Sequence, residues 1–275
     1  MRMEAATLPG SPERPNEDWV AAALPALGAG GTVVVLDGVT PPAGEDGCVH
    51  GVPWFTARLG GALTELSASR RDLTLAGILS LAIRRTADAH RNTCDLSHVR
   101  TPQATVAMAR WDEEVVEHLV LSDAALLLAA PDGSVRAVLD DRLDRVPAET
   151  RRSLAATDRL RNAEGGFFTA AADPAVAARA VTGTSPRPAV RAVAALSDGA
   201  GRWVELFGAG DWADLCAVLD REGPHGLLRR VRALETADRT AGGTHRWKVH
   251  DDATAAYAVL SEGPARPAPG RQAEG

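Results

Sequence analysis

Four short acidic stretches, Asn16-Glu17-Asp18, Asp37-Gly38, Ser197-Asp198-Gly199 and Asp251-Asp252-Ala253-Thr254, stand at or just beyond the ends of apolar runs, scattered from one end of the chain to the other. Residues 33–36 read Val-Val-Val-Leu before Asp37, and residues 192–196 read Ala-Val-Ala-Ala-Leu before Ser197-Asp198. Runs this short and apolar predict buried strands, so the carboxylates are expected to meet at strand ends. Carboxylates gathered in one place repel one another unless a cation lies among them, and hard cations such as Mg²⁺ and Mn²⁺ take oxygen ligands. The pattern points to a divalent-metal centre.

A chain of 275 residues with 45% hydrophobic content can bury a substantial core. One domain over residues 1–262 is expected. Residues 263–275 are rich in Pro, Ala, Gly and charge with little to bury, which predicts a disordered tail. The net charge of -6 and the scattered Arg-Arg pairs at 70–71, 84–85, 151–152 and 229–230 read as solvated helix faces, so nucleic acid is not the expected partner. Three cysteines, Cys48, Cys94 and Cys216, cannot all pair and form no disulfide framework; a cytoplasmic location fits them. The first ten residues lack the apolar core of a signal peptide, and no run approaches the roughly 20 apolar residues of a spanning helix, so no membrane partner is expected.

The first clear strand covers 32–36, and a loop through Pro41, Pro42, Gly44 and Gly47 leads into helical sequence from about Trp54. Asp72 can cap a helix whose apolar positions Leu75, Ile78, Leu79 and Ala82 keep helical spacing. Residues 104–110, 115–121, 124–130 and 135–139 read as a meander of antiparallel strands joined by short loops. Asp173-Pro174 opens a helix over 175–181, Asp211 opens one over 212–219, Pro224 starts another that runs to about Thr236, and a last strand covers 255–260. Strands in blocks and helices in pairs predict an α+β layered sandwich rather than βαβ units.

The acidic stretches, together with Thr101-Pro102-Gln103-Ala104-Thr105 and Ser122-Asp123, occur in an order that resembles the metal-dependent protein phosphatases, the type 2C serine/threonine family, over about residues 10–260. The resemblance implies a four-layer α/β/β/α sandwich with two central antiparallel sheets flanked by helices. It implies hydrolysis of phosphoserine and phosphothreonine in proteins by a metal-bridged water, with two Mn²⁺ or Mg²⁺ ions and room for a third, and a phosphorylated protein as partner. Asp37 matches the carboxylate that bridges the two ions, and the Gly38 carbonyl matches a ligand of one. Asp198 and Asp251 match ligands of the other, Glu17 and Asp18 match the acidic pair that completes the site, and Asp123 with Asp198 matches a looser third site. Arg14 is the candidate phosphate anchor, since a guanidinium can bind two phosphate oxygens at once, although it lies four residues before Asp18 where the family arginine lies five before.

Several departures stand beside these matches. Val39-Thr40-Pro41-Pro42 follows Asp37-Gly38 where the family has His or Met and then small residues, which leaves the usual leaving-group proton donor missing; His50, in the same loop, is the candidate general acid. Ser122-Asp123-Ala124 lacks the family's glycine and serine. Cys48, His50, Cys94 and His98 offer a zinc set, but Cys-x-His is not a usual zinc pair, and the set is put aside. Gly28-Ala29-Gly30-Gly31 precedes its strand and reads as a turn rather than a phosphate loop, and Lys248 as a charged lead into the last strand. The segment 199–211, with Trp203, Phe207 and nearby Trp212, offers either a substrate flap or core packing. A second function stays open: a catalytically weak or inactive phosphatase-like module that binds a phosphorylated partner and regulates it.

Overall fold

A computed structural model describes residues 1–25, 30–42, 44, 46–240 and 249–260. Lys248, residues 28 and 29, and the tail 263–275 lie outside the described residues. Ten strands form two five-stranded antiparallel sheets. One sheet has the order β1 (Arg2–Leu8), β10 (Ala253–Val259), β9 (Ala192–Leu196), β6 (Ala125–Ala129), β7 (Val135–Leu139); the other runs β2 (Trp19–Ala23), β3 (Gly31–Gly38), β4 (Ala104–Trp111), β5 (Val115–Leu121), β8 (Val181–Pro186).

Side chains of a strand alternate between its faces, and β3 shows what each face covers. Val34 and Leu36 pack with Phe55, Leu59, Leu63, Ile78 and Leu79 of α1 (Val52–Ser69) and α2 (Leu75–His90). Val33 and Val35 face the other way, into a core shared by both sheets with Leu126, Val193 and Ala256. The outer face of the sheet that holds β6 and β9 meets α5 (Asp198–Glu205) and α6 (Trp212–Thr240) through Leu127, Ala194, Trp203, Leu215 and Leu227. Three cores between four layers make the α/β/β/α sandwich. Because a strand buried on both faces has no polar side, β3 and β9 read as unbroken apolar runs in the sequence.

Several local expectations need correction. The meander is not one sheet: β4 and β5 pair in one, β6 and β7 in the other, and the chain crosses between sheets at Ser122-Asp123. Thr74, not Asp72, caps α2, accepting the Gly77 N–H at 3.2 Å, while Asp72 pairs with Arg70. Asp173 does cap a helix, but a 3-10 turn, Pro174–Arg179, which gives way to β8 at Val181. α6 is interrupted at Gly223, whose φ of 67° and ψ of -179° break the helix ahead of Pro224, as the separate helices expected on either side require. Two short helices, α3 (Ala148–Arg151) and α4 (Leu154–Leu160), lie in the connection from β7 to β8. Among the described residues no helix is long and apolar enough to cross a membrane.

Candidate metal centre

The acidic stretches converge because the strands that carry them are neighbours. β3 ends at Asp37-Gly38, paired with Thr105 and Ala104 of β4. β9 is followed directly by Ser197, whose N–H donates to the Thr254 carbonyl at 3.0 Å and whose Oγ accepts the Thr254 N–H at 2.9 Å, locking the start of α5 beside the start of β10. The N-terminal stretch is stitched to the same place. Asp252 accepts the Gly10 N–H at 2.7 Å and the Glu17 N–H at 2.8 Å, Asn16 donates to Thr7 Oγ1 at 2.7 Å, and the Thr7 and Thr254 hydroxyls meet at 2.7 Å. Two glycines are demanded by close approach: a Cβ on Gly38 would stand 2.6 Å from the Glu17 carbonyl oxygen, and one on Gly199 would stand 1.9 Å from that of Asp252.

Four carboxylates share the centre. Asp18 is buried and neither of its oxygens has a hydrogen-bond partner; the Thr254 and Ser197 hydroxyls lie near enough to lower its pKa somewhat, but neither meets hydrogen-bond geometry. Burial, with the charges of Asp198 and Asp252, pushes Asp18 up to about 7. Asp37 rises well above the usual carboxylate range, first through burial and then through Asp198, Asp18 and Asp123. Asp123 is pushed up to about 7 by burial and by Asp198. Asp37, Asp123 and Asp198 are only half-buried by their exposed area even though protein surrounds them, so the cluster is not sealed from solvent. Carboxylates buried together and mutually repelling are the chemistry that a hard divalent cation satisfies.

The remaining predicted residues fall into two places. Arg14, Glu17 and Asp251 line one cavity of about 50 Å³ together with Gly10, His250 and Asp252. Glu17 accepts a short hydrogen bond from the Thr40 hydroxyl. Asp251 is also gripped by arginines: its Oδ2 accepts Arg202 Nη2 at 2.7 Å and its carbonyl accepts Arg232 Nη2 at 2.6 Å. Both arginines bind the buried Glu235, each at 2.6 Å, and His250 Nδ1 reaches it at 2.8 Å. His50 belongs elsewhere. Its ring stacks on Trp54 at 4.2 Å, and its Nδ1 lies 3.3 Å from Cys94 Sγ.

Other residues near the centre escaped sequence reading. Arg161 lies in a second cavity of about 250 Å³ with Asp123, Ser122, Val39 and Arg151. Its guanidinium stacks 5.1 Å from the Phe167 ring, its Nε is buried without a hydrogen-bond partner, and burial lowers its pKa. Glu205, on α5, is pushed up to about 7 by burial and by Asp144, Asp198 and Asp123. An arginine beyond a short polar helix carries no pattern that marks it in a sequence. The segment 199–211 is not a flap of exposed aromatics: Trp203 is buried in the outer core and Trp212 packs against it.

The whole arrangement can be compared with solved structures. The Mycobacterium tuberculosis serine/threonine phosphatase PstP/Ppp superimposes with a TM-score of 0.60 at 15% identity, covering 95% of this chain and 99% of that one. The serine/threonine phosphatase Stp1 of Staphylococcus aureus gives 0.60 at 11% identity over 94% and 95%. The fold is that of the metal-dependent serine/threonine phosphatases. Another solved structure with this phosphatase fold, the catalytic domain of PstP in complex with two manganese ions, gives 0.56 at 16% identity over 94% and 97%. No family model and no curated protein matches the chain.

Proposed function

We propose that the chain is a divalent-cation-dependent phosphatase acting on phosphoserine or phosphothreonine in proteins, within the cytoplasm. The observation that carries this reading is Asp18, buried with both oxygens unpartnered beside Asp37 and Asp198. Asp18, Asp37 and Asp198 would hold the cations with Glu17 and the Gly38 carbonyl, and Asp123 offers a further ligand. Bound Mn²⁺ or Mg²⁺ supplies an activated water and offsets charge on the phosphoryl oxygens. Arg14, exposed at the mouth of the cavity that Glu17 and Asp251 line, binds the substrate phosphate in a bidentate grip. Arg161 offers a second cation on the Asp123 side.

No acid for the leaving group stands in the sequence after Gly38: Thr40 spends its hydroxyl on Glu17. Aryl phosphates, whose leaving groups need no proton, should therefore turn over faster than a phosphothreonine peptide. The Arg202–Asp251 pair supports the second reading, a weakly active module that binds a phosphorylated partner, because a guanidinium already balances a carboxylate that the resemblance assigns to an ion. Hydrolysis of p-nitrophenyl phosphate and of a phosphothreonine peptide, with Mn²⁺ titrated in and then chelated, separates the two. Metal-dependent turnover that vanishes in Asp37→Asn supports the enzyme, and no turnover in saturating Mn²⁺ sinks it.

A further inference from the structure

We propose that Cys48, His50, His90 and Cys94 form a tetrahedral Zn²⁺ site that pins the loop after the Asp37-Gly38 strand end to the C-terminus of α2. These residues come from two separate places, the loop before α1 and the last turn of α2 with its following turn, yet one ligand atom from each lies within 4.8 Å of all the others. Cys94 Sγ stands 3.1 Å from Cys48 Sγ and 3.3 Å from His50 Nδ1, while Cys48 Sγ stands 3.7 Å from His50 Nδ1 and 3.6 Å from His90 Nδ1. A tetrahedral ion with Zn–S of about 2.3 Å and Zn–N of about 2.0 Å sets ligand-to-ligand edges of roughly 3.3–3.8 Å. Three of the four distances fall in that range, and the two sulfurs, at 3.1 Å, would have to part slightly to admit the ion.

The surroundings fit a closed site. His90 is 2% exposed and its Nδ1 faces Cys48 Sγ, so its ring is already turned toward the cluster. Trp54 walls the cluster, 4.2 Å from the His50 ring and 5.0 Å from that of His90. The His50 N–H points at Cys48 Sγ from 3.4 Å, a contact that orients a thiolate ligand. Four protein ligands leave no open position for substrate, which makes the site structural. Two thiolates and two neutral imidazoles balance Zn²⁺ and are too soft a set for Mn²⁺ or Mg²⁺. Cys48, His50 and Cys94 belong to the zinc set that the sequence reading puts aside; His90 stands in place of that set's His98, whose Nδ1 accepts the Arg100 N–H.

The test is metal analysis of the full chain purified without added metal. About one zinc per chain is expected, retained in Asp37→Asn and His98→Ala and lost in Cys94→Ser and His90→Ala. Since the last two variants can also unfold, wild-type protein is reloaded with Co²⁺. Strong tetrahedral d–d absorption with a thiolate-to-cobalt charge-transfer band supports the site, because carboxylates alone cannot produce either. Weak octahedral absorption only, or a Cys48–Cys94 disulfide in mass spectra of alkylated protein, overturns it.

Discussion

Ser122 holds a φ of 67°, where an L side chain crowds its own backbone at a cost of about 1–2 kcal/mol. It sits where the chain leaves one sheet for the other, and the turn is fastened by its N–H donating to Asp140 Oδ2 at 2.9 Å. The glycine that the phosphatase family has at this point therefore meets a backbone need that serine meets under strain. Ser122→Gly should raise stability by about 1 kcal/mol in urea unfolding, offset only by the long 3.2 Å contact from its Oγ to Asp123. Gly199→Ala should do the opposite. Its methyl has to displace the Asp252 carbonyl, so a loss of about 1–3 kcal/mol, together with weaker metal activation, is expected from melting curves and assays.

At the scale of elements, the strands hidden from sequence reading share one property: β1, β2 and β8 are all sheet edges. An edge strand is covered less than a central one, and the RMEAATL of β1 or the VTGTSP of β8 carries no apolar run to announce it. The central strands β3, β6 and β9 are readable because burial on both faces demands continuous apolar sequence. Helix caps were half readable, since Asp72 and Thr74 are both chemically able and only the local backbone chooses between them. Thr74→Ala should cost about 1 kcal/mol, and Asp72→Ala should shift the same unfolding midpoint far less. Between α5 and α6, Arg202 joins Asp251 to buried Glu235. Arg202→Met should destabilise the fold by roughly 1–3 kcal/mol, because Asp251 and Glu235 each lose one charged partner while Glu235 keeps Arg232 and His250. In the surviving folded protein it should lower the Mn²⁺ concentration for half-maximal binding, read by calorimetry, if Asp251 then turns to the ion.

Across the whole molecule, the carboxylate centre couples stability to pH. Asp18 and Asp123 stand near 7 in the folded chain against an ordinary value of 3.8, so the folded state holds protons that the unfolded state has released. Stability of the metal-free protein should thus be full below about 4 and fall as pH rises toward 7. Saturating Mn²⁺ should remove or reverse that slope, since a cation takes the place of the protons; thermal melts from pH 5 to 8 with and without metal check it. Asp37, Asp123 and Asp198 are visible in the sequence because each stands at or just past the end of an apolar run, whereas Asp18 precedes one. The Cys and His cluster could not be completed, because His90 looks like any residue in the last turn of an amphipathic helix.

The pairing of β1 with β10 has a meaning for the birth of the protein. β1 is synthesised long before β10, the strand it pairs with, and the loop bearing Glu17 and Asp18 is tied down by Asp252, just ahead of β10. While the chain is being made, the helical layer over β3 and β4 can assemble, but the carboxylates cannot. Between the synthesis of β1 and that of β10 the helical layer is therefore able to form while the carboxylates stay apart, and they are gathered only when β10 is threaded between β1 and β9.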